Sequence, residues 1–174
     1  MIHFQRSGGQ IALFVLSLIG IAVAIYLTIV HYNSHVALVC SSKGPINCEQ
    51  VLSSVYAIVP GTSIPTAVAG ICWSVVGAVL AAIAWFVWPE KRIVCVAELV
   101  WAVIGMITVF YLVYVELVII HAICAWCTVV HVTVLLYLLI SAFLLCAPED
   151  EEYVDTEQEQ LVVDQKPEAI ETEK

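Results

Sequence analysis

Ile11 to Val30 is a run of twenty residues without a charged side chain. As a helix rising 1.5 Å per residue it is about 30 Å long, the thickness of the hydrocarbon layer of a bilayer. Two more apolar stretches come later in the chain: Thr66 to Trp88, closed by Pro89-Glu90-Lys91-Arg92, and Ile93 to Ala147, which holds 55 residues and only two charges, Glu98 and Glu116. The last stretch would be about 80 Å long as one helix, so it has to fold back on itself. No glycine or proline lies near its turn, and length and polarity place that turn at His121. Hydrocarbon offers no hydrogen-bond partners, so only helices or closed barrels cross it, and runs of this length are too long for barrel strands. The expected fold class is an all-α membrane protein, a four-transmembrane-helix bundle with spans at roughly 10–32, 66–88, 93–118 and 125–147.

Composition agrees, with 62% hydrophobic residues against 12% charged, too apolar for an ordinary soluble domain. The net charge of -9 is misleading. Glu149 to Lys174 hold eleven of the 15 carboxylates and two of the 6 basic residues, so residues 1–148 are neutral. Residues 1–148 read as a membrane domain and residues 149–174 as an acidic tail, too poor in large apolar side chains to offset chain entropy and therefore expected to be disordered. Without an excess of cations, nucleic-acid binding is not expected. Ala22-Val23-Ala24 imitates a signal-peptide cleavage site, but the apolar run continues past it, and the segment is expected to stay as a span. Arg6, Lys91 and Arg92 fall at one face and Lys43 at the other, which predicts cytoplasmic termini and a cysteine-bearing outer loop between the first two spans.

The seven cysteines divide into two groups. Cys72, Cys95 and Cys146 lie in or at the end of spans and read as small buried hydrophobes. Cys40 and Cys48 lie in the loop after the first span, and Cys124-Ala125-Trp126-Cys127 opens the fourth. Two spans separate the pairs, and an even number of crossings returns both pairs to one membrane face, on the charge argument the oxidising one. A CxxC on a first helical turn shares one face, and unpaired N–H groups there stabilise a thiolate. In this arrangement the first cysteine is expected to be the exposed one and the second to face deeper into the bundle. Three readings stay open at this point: an electron relay, a structural zinc site using four sulfurs, and structural disulfides. A relay would take electrons from a soluble thiol protein through Cys40 and Cys48 to Cys124 and Cys127. Its natural acceptor is a lipid-soluble quinone, which reaches a bundle from within the bilayer.

These residues resemble the vitamin K epoxide reductase family over roughly residues 10–147. The likeness rests on Cys40 and Cys48 with seven residues between them, the run Cys48-Glu49-Gln50-Val51-Leu52-Ser53-Ser54, the segment Ser63 to Gly70 opening the second span as in bacterial members, and Cys124-Ala125-Trp126-Cys127. The disulfide bond formation protein B family is similar in plan but carries its CxxC in the first outer loop. The resemblance implies a bundle around a quinone (ubiquinone, menaquinone or vitamin K type) capped by a loop with a short helix near residues 49–56. It makes Cys40 and Cys48 the loop pair, lets Cys48 exchange with Cys124, and makes Cys127 the quinone-proximal thiol, with Ser54 bonding near the loop pair. It implies a separate thioredoxin-like soluble protein as the thiol partner, disulfide formation as the output, and a multi-pass place in the bacterial cell membrane. Two departures point away from vitamin K epoxide itself and leave the thiol relay in place. His131 stands where vertebrate members have tyrosine, and Thr66 to Gly70 lacks the asparagine that their second helix presents to the quinone. The same relay run for reduced quinone is the enzymatic alternative, and a non-catalytic membrane protein with structural disulfides or zinc is the other.

Several polar residues admit two roles. His131, one turn after Cys127, either donates to a quinone oxygen or bonds a neighbouring helix. Trp126 and Thr66 join it as candidate quinone contacts, although interfacial anchoring explains Trp126 equally well. His31, His35 and His121 read as interface markers. Glu98 and Glu116 have to face the interior or sit at an interface, and their places near the ends of the third span favour the interface, with Glu116 at the outer end also a candidate to relay protons.

Overall fold

The computed structural model describes residues 2–33, 40, 46–86 and 92–146, with the side chains of residues 2–7 and Cys146 set aside. The acidic tail, Lys43, His35, Trp88 and Lys91 lie outside the described residues, as do the side chains of Arg6 and Cys146. Helix α1 is Ile2–Tyr32, α2 is Cys48–Leu52, α3 is Thr66–Phe86, α4 is Arg92–Tyr114 and α5 is Ala125–Cys146. A 3-10 turn at Val55–Ala57 comes after α2, and α4 runs on as a π-helix over Val115–Ile120. Among the described residues four helices are long and apolar enough to cross a membrane, over Gly8–Tyr32, Thr66–Phe86, Arg92–Ile120 and Ala125–Leu145. The chain is an all-helical, multi-pass membrane protein.

The helix ends have local causes. Pro65 precedes α3, where its missing N–H costs nothing because the first amides of a helix have no partner, and its carbonyl accepts Val68 N–H at 2.9 Å. The chain reaches Pro65 through a turn in which Gly61 takes φ +81, a left-handed conformation that a side chain would strain. The return between α4 and α5 falls at His121, also left-handed at φ 55.

The four long helices form a ring in which α1 packs on α3 and α5, and α4 packs on α5 and α3. In lipid the hydrophobic effect does not drive helices together, so close packing of small residues does. A Cβ on Gly20 would come within 2.6 Å of Ser74 Oγ, and one on Gly105 within 2.6 Å of the Trp73 ring. The indole N–H of Trp73 donates to the Trp101 carbonyl at 3.3 Å, and that of Trp101 donates to the Trp73 carbonyl at 3.1 Å, tying α3 to α4. The buried Tyr137 donates its hydroxyl to the Gly77 carbonyl at 3.3 Å, tying α5 to α3. Ser17, Thr28 and Thr133 each bond the carbonyl four residues back, so their hydroxyls are satisfied without leaving their own helix. Large apolar side chains such as Ile107, Phe110, Leu139 and Phe143 point outward, as a lipid-facing surface requires.

Glu98 corrects the interfacial expectation. It is fully buried against α1, where Gln10 Nε2 donates to its Oε2 at 3.1 Å. The apolar stretch around it conceals one inward-facing carboxyl with a prepared partner.

Candidate active site

The end of the bundle that carries both cysteine pairs is held together by a few backbone contacts. Asn47 caps α2: its side-chain carbonyl accepts Gln50 N–H at 3.1 Å, and its amide N–H₂ donates to Gln50 Oε1 at 3.4 Å. The two side chains hold each other, and the Asn47 backbone N–H, which a capping box would use, is left for another partner. The same Asn47 donates its backbone N–H to the Ile123 carbonyl at 3.1 Å, alongside a parallel bridge between Ile46 and Ile123. Gln50 Nε2 donates to the Ile120 carbonyl at 3.3 Å. The short helix is thereby fastened across the turn that leads into the CxxC.

Cys48, on the first turn of α2, is 1% exposed and disulfide-bonded to Cys40, with their Cα atoms 6.2 Å apart. It shares one buried cluster with Val51, Ala122 and Cys124, against which Cys40, Trp126 and Cys127 pack. Cys124 immediately precedes α5, and its carbonyl accepts Thr128 N–H at 2.9 Å. Its sulfur does what a capping oxygen does elsewhere, accepting Cys127 N–H at 3.3 Å. The Cys127 thiol donating to Cys124 Sγ, helped by the N–H groups of Cys127 and Trp126, holds the Cys124 thiol below its ordinary range, against burial and the Glu116 charge, which push the other way.

The order of exposure is the reverse of the sequence expectation. Cys124 is 0% exposed, whereas Cys127 is half-buried. The cause is α2, which lies over Cys124, while Cys127 one turn on reaches the interior chamber. Glu116 also departs from the interfacial expectation: it is 6% exposed. Its carboxylate accepts the backbone N–H of Cys124 and lies beside the Cys127 thiol, a second acceptor for the hydrogen that this thiol gives to Cys124. The π-helix brings it there. Its wider turn ends with His121 and Ala122 both donating backbone N–H to the Glu116 carbonyl, the latter at 3.1 Å.

Beneath the loop lies a cavity of about 660 Å³ walled by all four long helices and by the segment 51–65. Cys127 and His131 reach it from α5, Thr66 from α3, Ser54 from the loop, His31 from α1 and Glu116 from the π-helix. The rest of the wall is mainly aliphatic and aromatic. The exposed Cys72, Val76 and Thr108 line it too, so the chamber opens between α3 and α4. Size and lining fit a small, largely apolar ring with a few polar atoms. Ser54 gives its hydroxyl to the Val51 carbonyl at 2.8 Å and Thr66 to the Tyr56 carbonyl at 3.4 Å, so both line the wall while ordering the loop. Trp126 is not among the lining side chains; its ring lies 5.0 Å from that of Tyr26 on α1, tilted by 55°. Sequence reasoning named Glu116 as a proton-relay candidate without tying it to the thiols, read His31 only as an interface marker, and missed the Asn47–Gln50 cap. A charge inside a span was the one available signal.

A ring of four spans with a bonded cysteine pair laid over a CxxC and a chamber below defines a class, the polytopic membrane proteins with a cysteine-pair site at one end of the bundle. The chain belongs to the vitamin K epoxide reductase family, matching it over residues 11–142, which contain both cysteine pairs and the turn between α4 and α5. It is accordingly a membrane oxidoreductase of the thiol and quinone type. No curated protein matches it.

Proposed function

We propose that this protein oxidises a soluble thioredoxin-like thiol protein and passes the electrons through Cys40–Cys48 and then Cys124–Cys127 to a membrane quinone, so that its output is disulfide formation. The observation that carries this reading is the stack at one end of the bundle: Cys48 and Cys124 in one buried cluster, and Cys127 in the chamber wall directly below. The order of the stack is the order of the relay. The Cys40–Cys48 disulfide is the oxidised loop pair that a partner thiolate attacks. Cys40 is the half-buried member and Cys48 the buried one, which supports a reading in which the partner attacks Cys40 and Cys48 makes the onward exchange. Cys124, depressed by its N–H and S–H donors, is the better leaving and attacking sulfur of the second pair. A quinone in the chamber supplies the two-electron acceptor. His131 and Thr66 bring hydrogen-bonding atoms to it, and the aliphatic walls exclude water.

The same reading puts the cysteine pairs on the outer, oxidising face of a cell membrane and the termini in the cytoplasm. The Arg92 start of α4 at the opposite end of the bundle supports it. Mixing the purified protein anaerobically with a reduced thioredoxin-like protein and a set of quinones tests the reading. Cys40→Ser is expected to abolish turnover with the protein thiol while a small dithiol still feeds Cys124. If Cys127→Ala leaves quinone reduction intact, the relay is wrong.

A further inference from the structure

Oxidising a dithiol by a quinone moves two electrons and two protons, and the relay above accounts for the electrons only. The two sulfurs of the CxxC stand differently toward protons. Cys124 is surrounded by donors, the thiol of Cys127 and the N–H groups of Cys127 and Trp126, which hold its thiol below the ordinary range. The Cys127 thiol carries the second proton, which has to leave before the electron pair can. Three carboxylates occur among the described residues, Glu49, Glu98 and Glu116. Glu49 is exposed on α2, and Glu98 stands five helical turns from Glu116, about 27 Å along the same helix. Glu116 alone of the three lines the chamber, beside the Cys127 thiol. Its carboxylate is fixed from behind by the backbone N–H of Cys124 and by the π-helix that carries it.

We propose that Glu116 is the proton acceptor for Cys127 and hands that proton on into the chamber. This rests on the relay reading and completes it. Atoms and electrons balance in the step. The Cys127 S–H bond breaks and its proton goes to a Glu116 carboxylate oxygen. The S–S bond between Cys124 and Cys127 forms, and the two electrons leave to the quinone as oxidant. The proton on Glu116 and the one Cys124 released on becoming a thiolate together match the two needed for the reduced product. Glu116 touches a reacting sulfur, so it counts as a catalytic residue.

The test uses the full chain in detergent, reduced at the CxxC and mixed anaerobically with a short-chain ubiquinone. Glu116→Gln, which retains an oxygen to accept Cys124 N–H, is expected to slow formation of reduced quinone about 100-fold, the usual worth of a positioned acid or base. Quinone binding, followed by quenching of the Trp73 emission, is expected to stay within about twofold, since no chamber volume changes. In Glu116→Ala, added formate is expected to restore at least about tenfold of the lost rate, which a merely structural role cannot do. A Glu116→Gln rate within about threefold of the unaltered chain, or no rescue by formate with binding intact, overturns the proposal. A second measurement needs no quinone. The infrared S–H band of Cys127 in the reduced chain, identified by its loss in Cys127→Ala, is expected to move in Glu116→Ala, and an unmoved band overturns the proposal. Failure of the relay itself looks different, because quinone reduction would then survive Cys127→Ala.

Discussion

Helix α4 and its π-helical extension bury two glutamates on one face, five turns apart, and they do different work. Glu98 sits where the bundle is packed tight, near the cluster of Leu13, Ala81, Ala102, Tyr137 and Leu144. Its one protein partner among the described residues is the Gln10 amide, and neither Glu98 Oε1 nor Gln10 Oε1 meets a donor among those residues. Glu116 sits where the bundle opens, and its partners are a thiol and the amide of a second cysteine. Burying a carboxyl in a span costs a few kcal/mol in either place. The comparison teaches that this cost is a poor indicator of chemistry by itself. What separates the two sites is the neighbour: an amide can only hold a carboxyl, whereas a thiol can exchange a proton with it.

The difference between the two ends can be tested by substitutions of decreasing expected effect. Cys124→Ala removes the bridge between the loop pair and the chamber and is expected to lower partner-driven quinone reduction by at least about 1,000-fold, since residues that act as a unit fail together. Residual turnover near that of the unaltered chain would mean that electrons bypass the CxxC. Gly105→Ala forces a methyl into the Trp73 ring and is expected to destabilise the α3–α4 pair by about 1–3 kcal/mol, read as a drop in thermal unfolding temperature. Gly105 and Trp73 also line the chamber, so quinone binding should weaken together with stability. Asn47→Ala removes the cap that fastens α2 over Cys124 and is expected to cost about 1 kcal/mol. The loosened loop should raise the alkylation rate of reduced Cys124, which the capped loop shields. The smallest effect belongs to the other end: Glu98→Gln is expected to leave quinone reduction within about twofold, because it removes a charge that partners no reacting atom. A large loss there would abolish the contrast between the two glutamates.

The depressed Cys124 thiol adds a pH signature to the same comparison. Its folded value lies below the ordinary 9.0, so the stabilisation of the reduced chain is fully present above the ordinary value and is lost as pH falls through the lowered one. Measured as alkylation of reduced Cys124 against pH in a Cys40→Ser chain, the reactive form should persist to lower pH than that of a free cysteine. A profile centred on the free-thiol value would show that the cap formed by the Cys127 N–H does not act on the sulfur.

The spans and the number of crossings were legible because hydropathy is a property of the composition of each run, and the parity of cysteine pairs depends on that number alone. The turn at His121 was legible for the same reason, since a 55-residue stretch has to return near its middle. The placement of side chains around the site was not. Whether Cys124 or Cys127 is covered depends on Asn47 meeting Ile123, a contact across 76 residues that no local pattern announces. Trp126 is aromatic and next to a cysteine, but its helix phase turns it to Tyr26 instead of the chamber. Glu116 read as interfacial because its nearness to the end of a span is visible in sequence, while the local winding that aims it at the thiols is not.

That winding has a consequence for how the site tolerates change in chain length. A π-helical turn is an α-helical turn carrying a surplus residue. Deleting one residue among Leu117, Val118, Ile119 and Ile120 would leave the hydropathy profile, the four spans and every cysteine in place. It would take out the surplus and restore ordinary winding, so that the turn at His121 and the CxxC beyond it keep their phase, while Glu116 loses the wide turn that places two amides on its carbonyl. A sequence comparison scored on substitutions alone would rank such a shortened chain as nearly identical. Here a gap of one falls where the helix can absorb it, whereas the same gap in the ordinary winding before Val115 would turn everything beyond it by about 100°.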